Sequence, residues 1–512
     1  MLQISHLTLT HRRDLTDLVR DLSFTVSPGE RIALIGEEGD GKSTLLRALA
    51  GDPAVRGYID MRGQIAAGGA AGLLPQELPA ADREKTAYEF FCDAEAFFEQ
   101  TPRALGALAA QLSLPADAFY SGQRMADFSG GERIKLQLAR ILASLPSALL
   151  LDEPTNDLDG ESARWLGDFM LACPLPIVFV SHDETLLRRA ATGVLLLERL
   201  RRRTEPRATF MPVPYASFVL QREAGFARQE QLARKEREEH AQKMERYETI
   251  RRRVEHEQSA VSRREPGTAR LLKKKMHAVL STGRRYAREA EEMTALPERE
   301  EAIFARLTCE PLPAGKTVLN MTLPALCAPD GRLLARDVRL TVRAGEKLLL
   351  CGRNGAGKST LLKRIRDILA QRADLRVFTM PQDADDLLDP GKTPLEMLAP
   401  ADAEDRARCG VMLGSMRFTA AEMSHPCAGL SGGQKAKLML LMMARSGAAV
   451  LLLDEPTRSL SPLSGPVVRA LFADAPATII AVSHDALFAR AVCTRALRLT
   501  KDGLREADFD SL

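Results

Sequence analysis

Six short and mostly apolar runs punctuate the chain, and polar residues follow each of them at once. Runs of four or five such residues are typical of strands buried on both faces of a parallel sheet. Polar side chains at their ends are expected at the carboxyl edge of that sheet, where ligands of open α/β folds gather. Three runs lie in each half of the chain: Arg31–Ile35, Ala148–Leu151 and Ile177–Val180, then Lys347–Cys351, Val450–Leu453 and Thr478–Val482.

Between the halves the pattern changes to a coiled-coil repeat. From 216 to 262 there is no proline, and apolar or small residues recur in heptad register; a break at Pro266 and Gly267 precedes a second such series. Two seams around a break predict an antiparallel helical hairpin that turns near Pro266, with a first arm about 70 Å long at ~1.5 Å per residue. The seam positions are Val219, Phe226, Ala233, Met244, Tyr247, Val254 and Val261, then Leu272, Met276, Val279, Tyr286, Ala290 and Met293.

The polar segments between the strands are also duplicated. Each half carries a glycine-rich loop, a Pro-Gln pair, a Ser-Gly-Gly segment, an Asp-Glu-Pro segment and a Ser-His-Asp segment, in that order. The second copies of the last three lie 302 positions after the first, as Ser129 and Ser431, Asp152 and Asp454, and His182 and His484 demonstrate. A constant offset over three segments indicates a tandem duplication of one nucleotide-binding domain.

Each glycine-rich loop follows a predicted strand and precedes a predicted helix, Leu45–Ala50 or Leu361–Leu369. This context suits a phosphate-binding loop, in which backbone N–H groups surround phosphate, a lysine reaches the β and γ phosphates and a serine binds Mg²⁺. A glycine turn without a ligand is the alternative for a single match, but two matches in register disfavour it. The predicted nucleotide ligands are Gly36, Gly39, Gly41, Lys42, Ser43 and Thr44, and Gly352, Asn354, Gly355, Gly357, Lys358, Ser359 and Thr360.

Pairs of carboxylates end the strands at Ala148–Leu151 and Val450–Leu453. Asp152 and Asp454 are suited to contact Mg²⁺ with Ser43, Ser359, Gln76 and Gln382, while Glu153 and Glu455 are suited to orient the attacking water. His182 and His484 follow the next strands and are predicted to contact the γ-phosphate. Taken alone, such a carboxylate pair would more often be a solvated helix start, and such a histidine a helix cap. Their positions relative to the glycine-rich loops favour the catalytic interpretation.

Composition restricts the classes of protein further. The chain has 512 residues, 45% of them hydrophobic, and contains no apolar run of 18 residues, so we expect no membrane span. The first residues enter a strand pattern without a secretory signal. The eight cysteines are never spaced as Cys-x-x-Cys, which disfavours both a zinc ribbon and a disulfide framework. We therefore expect a cytoplasmic protein.

The predicted hairpin carries a concentrated positive charge. Between Arg251 and Arg285 there are eleven lysines and arginines against three acids, a net charge of +8, whereas the whole chain carries only +3. A solvated helix face is the alternative, but so many cations at the end of a hairpin favour a polyanion. Since aromatic residues do not alternate with them, we expect contacts with the backbone or shape of that polyanion rather than with bases. The candidate contacts are Arg263, Arg264, Arg270, Lys273, Lys274 and Lys275.

The Ser-Gly-Gly segments complete a resemblance to the ATP-binding-cassette (ABC) superfamily, whose signature they match. The resemblance implies ATP hydrolysis to ADP and phosphate with Mg²⁺, in two cassettes that close head to tail over two ATPs within one monomer. It also implies that Ser431, Gly432 and Gly433 face the loop of Lys42. Ser129, Gly130 and Gly131 would then face the loop of Lys358.

Two fused cassettes with a basic hairpin between them resemble the ABC-F family of cytosolic, ribosome-binding ATPases. This resemblance implies that the hairpin approaches the P-site tRNA and the peptidyl-transferase centre, with rRNA and tRNA as partners and neither membrane nor DNA. The predicted fold is α/β, with ABC domains at 1–203 and 311–512 joined by a helical-hairpin linker at 204–310, whose basic tip lies near 251–285.

Within that family the sequence favours the members that free ribosomes from antibiotics over housekeeping translation factors. Only 53 positions separate Gln76 from Ser129, which leaves no room for an inserted arm, and the chain ends at Leu512 without a further basic domain. An ATPase subunit that energises a membrane transporter is a more distant alternative. A non-catalytic scaffold is disfavoured because Glu153 and Glu455 are both present.

The chain departs from the family pattern in three ways, and the last two make the two ATP sites unequal. Around Leu9–Leu15 only His11 could stack on adenine, and Leu323–Leu333 offers no ring. The first glycine-rich loop has acids where the second has Arg353, Asn354 and Ala356. After Glu455 the second half reads Arg-Ser-Leu-Ser, where the first reads Asn-Asp-Leu-Asp. The resemblance implies that the loop ending at Ser461 serves the Lys42 site and that Asp159 serves the Lys358 site, so we expect slower turnover at the Lys42 site. The three acids are Glu37, Glu38 and Asp40.

Overall fold

The structure, a computed structural model, describes residues 1–156, 158–200, 205–260, 266–294, 307 and 309–509. It divides into two compact units, one formed by Met1–Tyr215 with Glu300–Leu512 and the other by Ala216–Arg299. The first unit holds both copies of the duplicated motifs. The second is helical and corresponds to the predicted hairpin.

The first half contains a six-stranded sheet in the order β5-β6-β7-β3-β8-β9 and a three-stranded antiparallel sheet in the order β2-β1-β4. Its strands are β1 Leu2–His11, β2 Asp17–Val26, β3 Arg31–Ile35, β4 Ile59–Ala67, β5 Ala71–Leu74, β6 Ala148–Asp152, β7 Ile177–Val180, β8 Gly193–Leu200 and β9 Glu205–Met211. Its helices are α1 Lys42–Leu49, α2 Ala80–Arg83, α3 Ala87–Cys92, α4 Glu95–Glu99, α5 Pro102–Gln111, α6 Gly130–Ala143, α7 Gly160–Ala172 and α8 Glu184–Ala190.

The hairpin consists of α9 Tyr215–Ala260 and α10 Pro266–Glu292. The second half repeats the large sheet in the same order, β13-β14-β15-β12-β16-β17, beside a β10-β11 pair. Its strands are β10 Thr317–Cys327, β11 Leu333–Arg343, β12 Lys347–Cys351, β13 Val377–Met380, β14 Val450–Asp454, β15 Thr478–Val482, β16 Arg495–Thr500 and β17 Gly503–Glu506. Its helices are α11 Lys358–Leu369, α12 Pro394–Met397, α13 Ala403–Ser415, α14 Ala420–Ser424, α15 Gly432–Ser446, α16 Gly465–Ala473 and α17 Ala486–Val492.

The predicted fold class is confirmed, and the reason lies in the central strands. Every residue of β6, β7, β14 and β15 is buried, as expected for parallel strands covered on both faces. Parallel pairing aligns their carboxyl ends, so that Asp152 lies opposite Val180 and Asp454 opposite Val482. The acidic residues and the histidine segments of each half therefore meet at one edge of the sheet.

The helices after the glycine-rich loops begin three residues earlier than the predicted starts, at Lys42 and Lys358. The residues that precede them, Gly41 and Gly357, adopt left-handed φ angles of 90° and 99°, which glycine adopts without steric penalty. The chain therefore turns sharply into the helix at the lysine. As a result the lysine and the following serine occupy the first turn, where backbone N–H groups are free to bind an anion.

The hairpin has the predicted antiparallel pairing. Lys243 Nζ lies 3.0 Å from Glu289 Oε2, and Lys275 Nζ lies 3.9 Å from Glu257 Oε2, so the two helices approach with opposite chain directions. All predicted seam residues except Val261, which lies outside the described residues, are buried or half-buried. The most buried are Ala233, Val254 and Leu272.

The hairpin also packs an aromatic ring beneath a glycine. Tyr247 and Tyr286 meet edge to face with ring centroids 6.2 Å apart, and His240 Nε2 lies 3.0 Å from the carbonyl oxygen of Tyr286. A β-carbon on Gly283 would lie 2.5 Å from the Tyr247 hydroxyl oxygen. The glycine therefore makes room for the ring, which explains why a residue of low helix propensity occurs inside α10.

The linker begins and ends differently from the predicted range 204–310. Strand β9 at Glu205–Met211 pairs with β8 through seven registered positions, so these residues belong to the sheet of the first half. At the other end, Leu307 is buried in the core of the second half. The sequence pattern missed β9 because this short strand lies at the edge of the sheet and is only partly buried.

Two glycines test the hairpin packing. We expect Gly283→Ala to lower the free energy of local opening of α10 by about 1–2 kcal/mol, because the added carbon displaces the Tyr247 ring. Gly225→Ala in α9 is the matched control: no atom lies within 4 Å of its β-carbon position, so the same change should stabilise its helix by up to about 1 kcal/mol. Hydrogen exchange of hairpin peptides in the full chain measures both. Equal protection of the two variants would contradict the packing described here.

Candidate functional site

Both glycine-rich loops fold around their lysines. Lys42 Nζ donates to the carbonyl oxygens of Gly36 and Glu37, each at 2.9 Å, and Lys358 Nζ donates to those of Gly352 and Arg353 at 2.8 and 3.1 Å. Because an ammonium has three donors, each lysine keeps one for a ligand. The lysines are buried at the start of α1 and α11, and Ser43, Thr44, Ser359 and Thr360 follow them in the first helical turn.

The acids at the strand ends lie beside these loops. Asp152 Oδ1 accepts a hydrogen bond of 3.1 Å from Ser43 Oγ, and the hydroxyl of Ser359 stabilises the Asp454 carboxylate in the same manner. The two glutamates that follow, Glu153 and Glu455, have left-handed φ angles of 47° and 52°. Such angles are strained for residues with a side chain and are concentrated at functional sites.

Each glutamate presents one oxygen that lacks a hydrogen-bond partner. The backbone N–H of His182 donates to Glu153 Oε2 at 3.1 Å, and that of His484 to Glu455 Oε2 at 3.2 Å. Among the described residues, none makes a hydrogen bond to Oε1 of either glutamate; His182 Nε2 lies 3.2 Å from Glu153 Oε1, but the proton of that imidazole is on Nδ1. A buried acceptor without a donor is costly, so each Oε1 is ready to accept a hydrogen bond from a water molecule.

Burial shifts the pKa values of these glutamates and of the histidines in opposite directions. Burial raises the pKa of both Glu153 and Glu455 to about 7, although Lys42 and the backbone N–H of His182 oppose the effect at Glu153. Burial and the nearby lysine lower the pKa of His182 and of His484 to about 4. The imidazoles are therefore neutral at physiological pH. Since a carbonyl oxygen only accepts, Nδ1 of His182 carries the proton that it shares with Leu460 O at 2.8 Å.

The residues predicted to bind Mg²⁺ are compatible with an ion held jointly with phosphate. The described residues contain no cluster of histidine, cysteine and acidic side chains that could hold a metal alone. Asp454 Oδ1 is nevertheless buried without a hydrogen-bond partner. Mg²⁺ typically binds one or two carboxylates together with substrate phosphates, and this donor set suits that mode. Gln76 and Gln382 are exposed at the ends of β5 and β13.

The signature segments begin helices through identical local bonds. Ser129 and Ser431 cap α6 and α15, and each forms a capping box with the residue three positions later, Glu132 or Gln434. The capping box explains the sequence Ser-Gly-Gly-Glu/Gln. It satisfies one backbone N–H of the first turn and leaves those of the glycines available, which are Gly130, Gly131, Gly432 and Gly433.

The Lys358 loop faces the first half across a cavity of about 580 Å³. The walls include Lys358, Asn354, Gln382, Asp454, Glu455 and His484 from the second half and Gly130, Asp159 and His182 from the first. This volume lies within the range of about 300–1,000 Å³ that small-molecule sites occupy. The cavity therefore brings together the second-half residues predicted for one ATP, except Gly352, and one residue of the opposite signature segment, Gly130.

Three arginines line this cavity that the sequence analysis did not single out. They are Arg133 of α6, Arg332 before β11 and Arg458 after β14. Apart from the two imidazoles, the described lining contains no aromatic ring. Arg332 lies in the loop where the resemblance implies a stacking aromatic. Its positive charge was a signal in the sequence that could have identified this side of the cavity.

The Lys42 loop meets the second half through its own acidic side chains. Glu38 Oε2 accepts from the backbone N–H of Gly433, and Glu37 Oε1 lies 2.8 Å from Lys437 Nζ of α15. Asp40 turns back into its own loop, where it accepts from Glu37 N at 2.8 Å. Burial and the neighbouring Glu37 raise the pKa of Asp40 to about 6.

A second group of ionic contacts joins the halves on the same side. Glu184, at the start of α8, lies 2.8 Å from Arg469 of α16 and accepts from Arg188 of its own helix at 2.6 Å. The Glu184 side chain is only 4% exposed. Removal of Glu184 would leave the largely buried Arg469 guanidinium without this partner, so the contact constrains the interface.

Some cations of the described part of the basic tip pair with acids and others do not. Arg251, Arg252 and Arg253 each pair with a glutamate four residues away on α9. Arg270, Lys273 and Lys274 have no ion pair with a described residue and line one exposed concavity with His277. Lys275 lies near Glu257, whereas Arg263 and Arg264 lie outside the described residues.

No described helix has the length and apolar character that crossing a bilayer requires. The family model described as "ABC transporter" matches residues 19–156 and 335–458, which together make up half of the chain. The matched segments contain both glycine-rich loops, both signature segments and both strand-end acid pairs.

Relatives match over almost the whole chain. The energy-dependent translational throttle protein EttA of Escherichia coli K12 is 27% identical over 541 aligned positions, which cover 95% of this chain and 90% of EttA. ABC transporter F family member 5 of Arabidopsis thaliana is 25% identical and covers 96% of this chain and 73% of its own length. Both alignments include the hairpin region as well as the two halves.

A solved structure shares the arrangement of the two halves. The archaeal ribosome recycling factor aABCE1, in complex with the ribosomal stalk protein aP1, superposes with a TM-score of 0.59 at 17% identity. The match covers 98% of this chain and 90% of that one. At this identity the similarity shows the fold alone. Taken with the family model and the relatives, it establishes that the chain is an ATPase of the ABC transporter family, and the relatives indicate its ABC-F branch.

Proposed function

We propose that this chain is a ribosome-binding ATPase that couples ATP hydrolysis to RNA contacts made by its hairpin. The observation that carries the proposal is the combination of two complete ATP-site motif sets in one chain with a basic helical hairpin between them. The names of its relatives support it, since EttA is called a translational throttle protein and aABCE1 a ribosome recycling factor.

At the Lys358 site, the loop of Gly352–Thr360 would hold the phosphates, and Ser359, Gln382 and Asp454 would hold Mg²⁺. Bound Mg²⁺ would neutralise phosphate charge that develops during hydrolysis. Glu455 Oε1, buried and without a donor, orients the water, and the neutral His484 lies 3.7 Å from it. Ser129, Gly130 and Gly131 close the site from the first half.

At the Lys42 site, Gly36–Thr44 with Gln76 and Asp152 form the corresponding nucleotide and Mg²⁺ ligands. Glu153 and His182 take the catalytic positions, and Ser431, Gly432 and Gly433 lie opposite. The loop that ends at Ser461 serves this site, because Leu460 O holds the His182 imidazole. A carboxylate about 8 Å from a phosphate charge raises the energy of the bound phosphate by roughly 2 kcal/mol at an effective dielectric near 20. The acids of this loop therefore disfavour ATP here relative to the Lys358 site.

The hairpin is the proposed RNA-binding element. Arg270, Lys273 and Lys274, which form no ion pair with the described part of the chain, share one surface of α10, and the nearby acids Glu255 and Glu257 of α9 are already paired. Such a surface binds phosphates through charge and counterion release. The P-site tRNA and the rRNA of the peptidyl-transferase centre are the partners that we propose.

The biological role divides into two candidates. Control of translation is favoured by the resemblance to EttA over 95% of the chain. Displacement of antibiotics from the ribosome is the second candidate, favoured because the segment between β5 and the first signature helix contains short helices and no helix longer than ten residues. Expression in a susceptible host distinguishes them: resistance to antibiotics of the peptidyl-transferase centre supports displacement, and unchanged susceptibility supports translational control.

Trapping tests the ribosomal role. Replacing both Glu153 and Glu455 with Gln should leave ATP binding while removing the acceptor that orients water. We expect the double variant to co-sediment with ribosomes in the presence of ATP and to stop translation when overproduced. Co-sedimentation of the chain with membranes instead would indicate a transporter subunit, and its absence from both fractions would contradict the proposal.

The basic surface can be tested by salt dependence. Replacing Arg270, Lys273 and Lys274 with Gln should weaken ribosome binding and reduce its salt slope by about 0.7–0.9 log unit for each phosphate that the chain no longer binds. Arg234→Gln with Lys235→Gln is the control, because these exposed cations already pair with Glu238 and Glu239 on the same helix. Equal slopes for parent and variant would mean that the surface is only solvated. ATP hydrolysis without ribosomes should not change.

Single substitutions test the inequality of the sites. Glu455→Gln should remove most of the steady-state phosphate release, since loss of the water-orienting group lowers turnover of its own site by roughly 10²-fold or more. Glu153→Gln should remove the smaller share, because the acids of the first loop already slow that site. Phosphate release measured for each variant under saturating ATP decides the point. Equal losses, or the reverse order, would refute the assignment.

A further inference from the structure

In the Lys42 site a carboxylate occupies a binding position of the signature segment. The Glu38 carboxylate lies against both signature glycines: a β-carbon on Gly432 or Gly433 would come within 3.1 or 3.3 Å of Glu38 Oε2. Its Oε2 accepts the N–H of Gly433 in the first turn of α15. The N-terminus of a helix of this length favours an anion through its free N–H groups and its dipole. Glu38 supplies that anion from the protein itself.

The neighbouring Glu37 makes a second bond to the same helix. Its side chain and that of Lys437 are only 11% and 8% exposed, and they form an ion pair of 2.8 Å. Two adjacent acids therefore bind one helix of the opposite half, one at its N-terminal N–H group and one a turn further along. An ion pair shielded from water is not weakened by salt in the way that a surface pair is.

Two of the equivalent positions on the other side have different partners. Arg353, the counterpart of Glu37, lies 3.8 Å from Glu161, but the two side chains are 85% and 80% exposed. Lys135, the counterpart of Lys437, lies over the ring of Trp165 in its own half. The space between the Lys358 loop and the opposite signature segment is the cavity of about 580 Å³.

The ionic contact between Glu184 and Arg469 has the same asymmetry. Glu184 and Arg469 join the halves on the Lys42 side, whereas the residues 302 positions away from them are Ala486 and Gly167, which carry no charge. Side chains of the protein thus complete the interface on the Lys42 side. On the Lys358 side the interface contains a cavity that a ligand could complete.

We propose that Glu37 and Glu38 take the place of the γ-phosphate in the Lys42 site, so that this side of the interface closes without a nucleoside triphosphate. The ligand class left to this site is a nucleoside diphosphate, whose two phosphates the loop of Lys42 can hold without displacing Glu38 from Gly433. ATP binding and hydrolysis then control closure mainly at the Lys358 site, while the more weakly bound second ATP accounts for the smaller share of hydrolysis. This inference rests on the proposed ATPase function and specifies the ligands of its two sites.

Nucleotide stoichiometry tests the proposal in the free chain, with Glu153→Gln and Glu455→Gln present to prevent hydrolysis. Equilibrium dialysis with labelled ATP and Mg²⁺ should give one ATP per chain, with any second ATP bound at least tenfold more weakly. Labelled ADP should add one equivalent to the ATP-loaded chain. Replacing Glu37 and Glu38 by the second-loop residues, as E37R/E38N, should raise the uptake to two ATPs of comparable affinity. Two equivalent ATPs in the parent, none at all, or one in the E37R/E38N variant would overturn it.

Hydrogen exchange provides a second readout that does not depend on added nucleotide. In the nucleotide-free chain, amides at the start of α15 should be protected more strongly than those at the start of α6. The isosteric change E37Q/E38Q should remove that difference while the protection of the central strands β6 and β14 is kept. Equal exchange of the two helix starts in the parent would also overturn the proposal. Ribosomes are absent from both experiments, so their outcome is separate from that of ribosome binding.

Discussion

The interface between the two halves depends on one requirement: the N-terminus of each signature helix needs an anion. The capping boxes of Ser129 and Ser431 hold the first turns of α6 and α15 in place, while the glycine N–H groups remain without helical acceptors. Each glycine-rich loop of the opposite half provides the surface on which an anion can lie. On one side that anion is a carboxylate of the chain, and on the other side there is a cavity. The asymmetry of the molecule follows from how this requirement is met.

The same principle accounts for the glutamates at the strand ends. Their left-handed backbone and the N–H donated by the following histidine segment direct Oε1 of Glu153 and Glu455 into the site without a donor. Burial makes the charged form of each glutamate costly and raises its pKa to about 7. A water molecule next to the phosphate supplies the missing donor. Binding of this water is therefore favoured at the position needed for hydrolysis.

Local patterns in the sequence predicted most of the fold. The runs Arg31–Ile35 and Ile177–Val180 are strands with those bounds, because short apolar runs leave few alternatives to a buried parallel strand. Helix starts were less accurate, since the left-handed turns at Gly41 and Gly357 begin α1 and α11 earlier than hydrophobic periodicity suggests. Strand β9 was assigned to the linker, because a partly buried edge strand has weak periodicity.

The contacts that distinguish the two sites could not be predicted from the sequence. The acids of the first loop were visible, but Glu37 and Lys437 are 400 positions apart, and nothing in the local sequence of either residue indicates the other. Without the fold, those acids indicate only repulsion of phosphate and hence a slower site. In the fold, Glu38 accepts a hydrogen bond from the backbone N–H of Gly433 in the opposite signature segment. An acid that would repel phosphate therefore forms an intramolecular bond.

This difference decides which side of the interface can respond to ATP. A contact made by buried side chains of the same chain is present at any nucleotide concentration, whereas a contact made by a ligand follows its binding and release. A ligand shifts a conformational equilibrium only by its difference in affinity for the two states. On the Lys42 side, Glu37 and Glu38 already make the closing contacts, so a triphosphate has little differential affinity to contribute there. At the Lys358 cavity, binding and hydrolysis of ATP change the free energy of closure. The ATP cycle therefore controls closure of the interface between the halves mainly through that site.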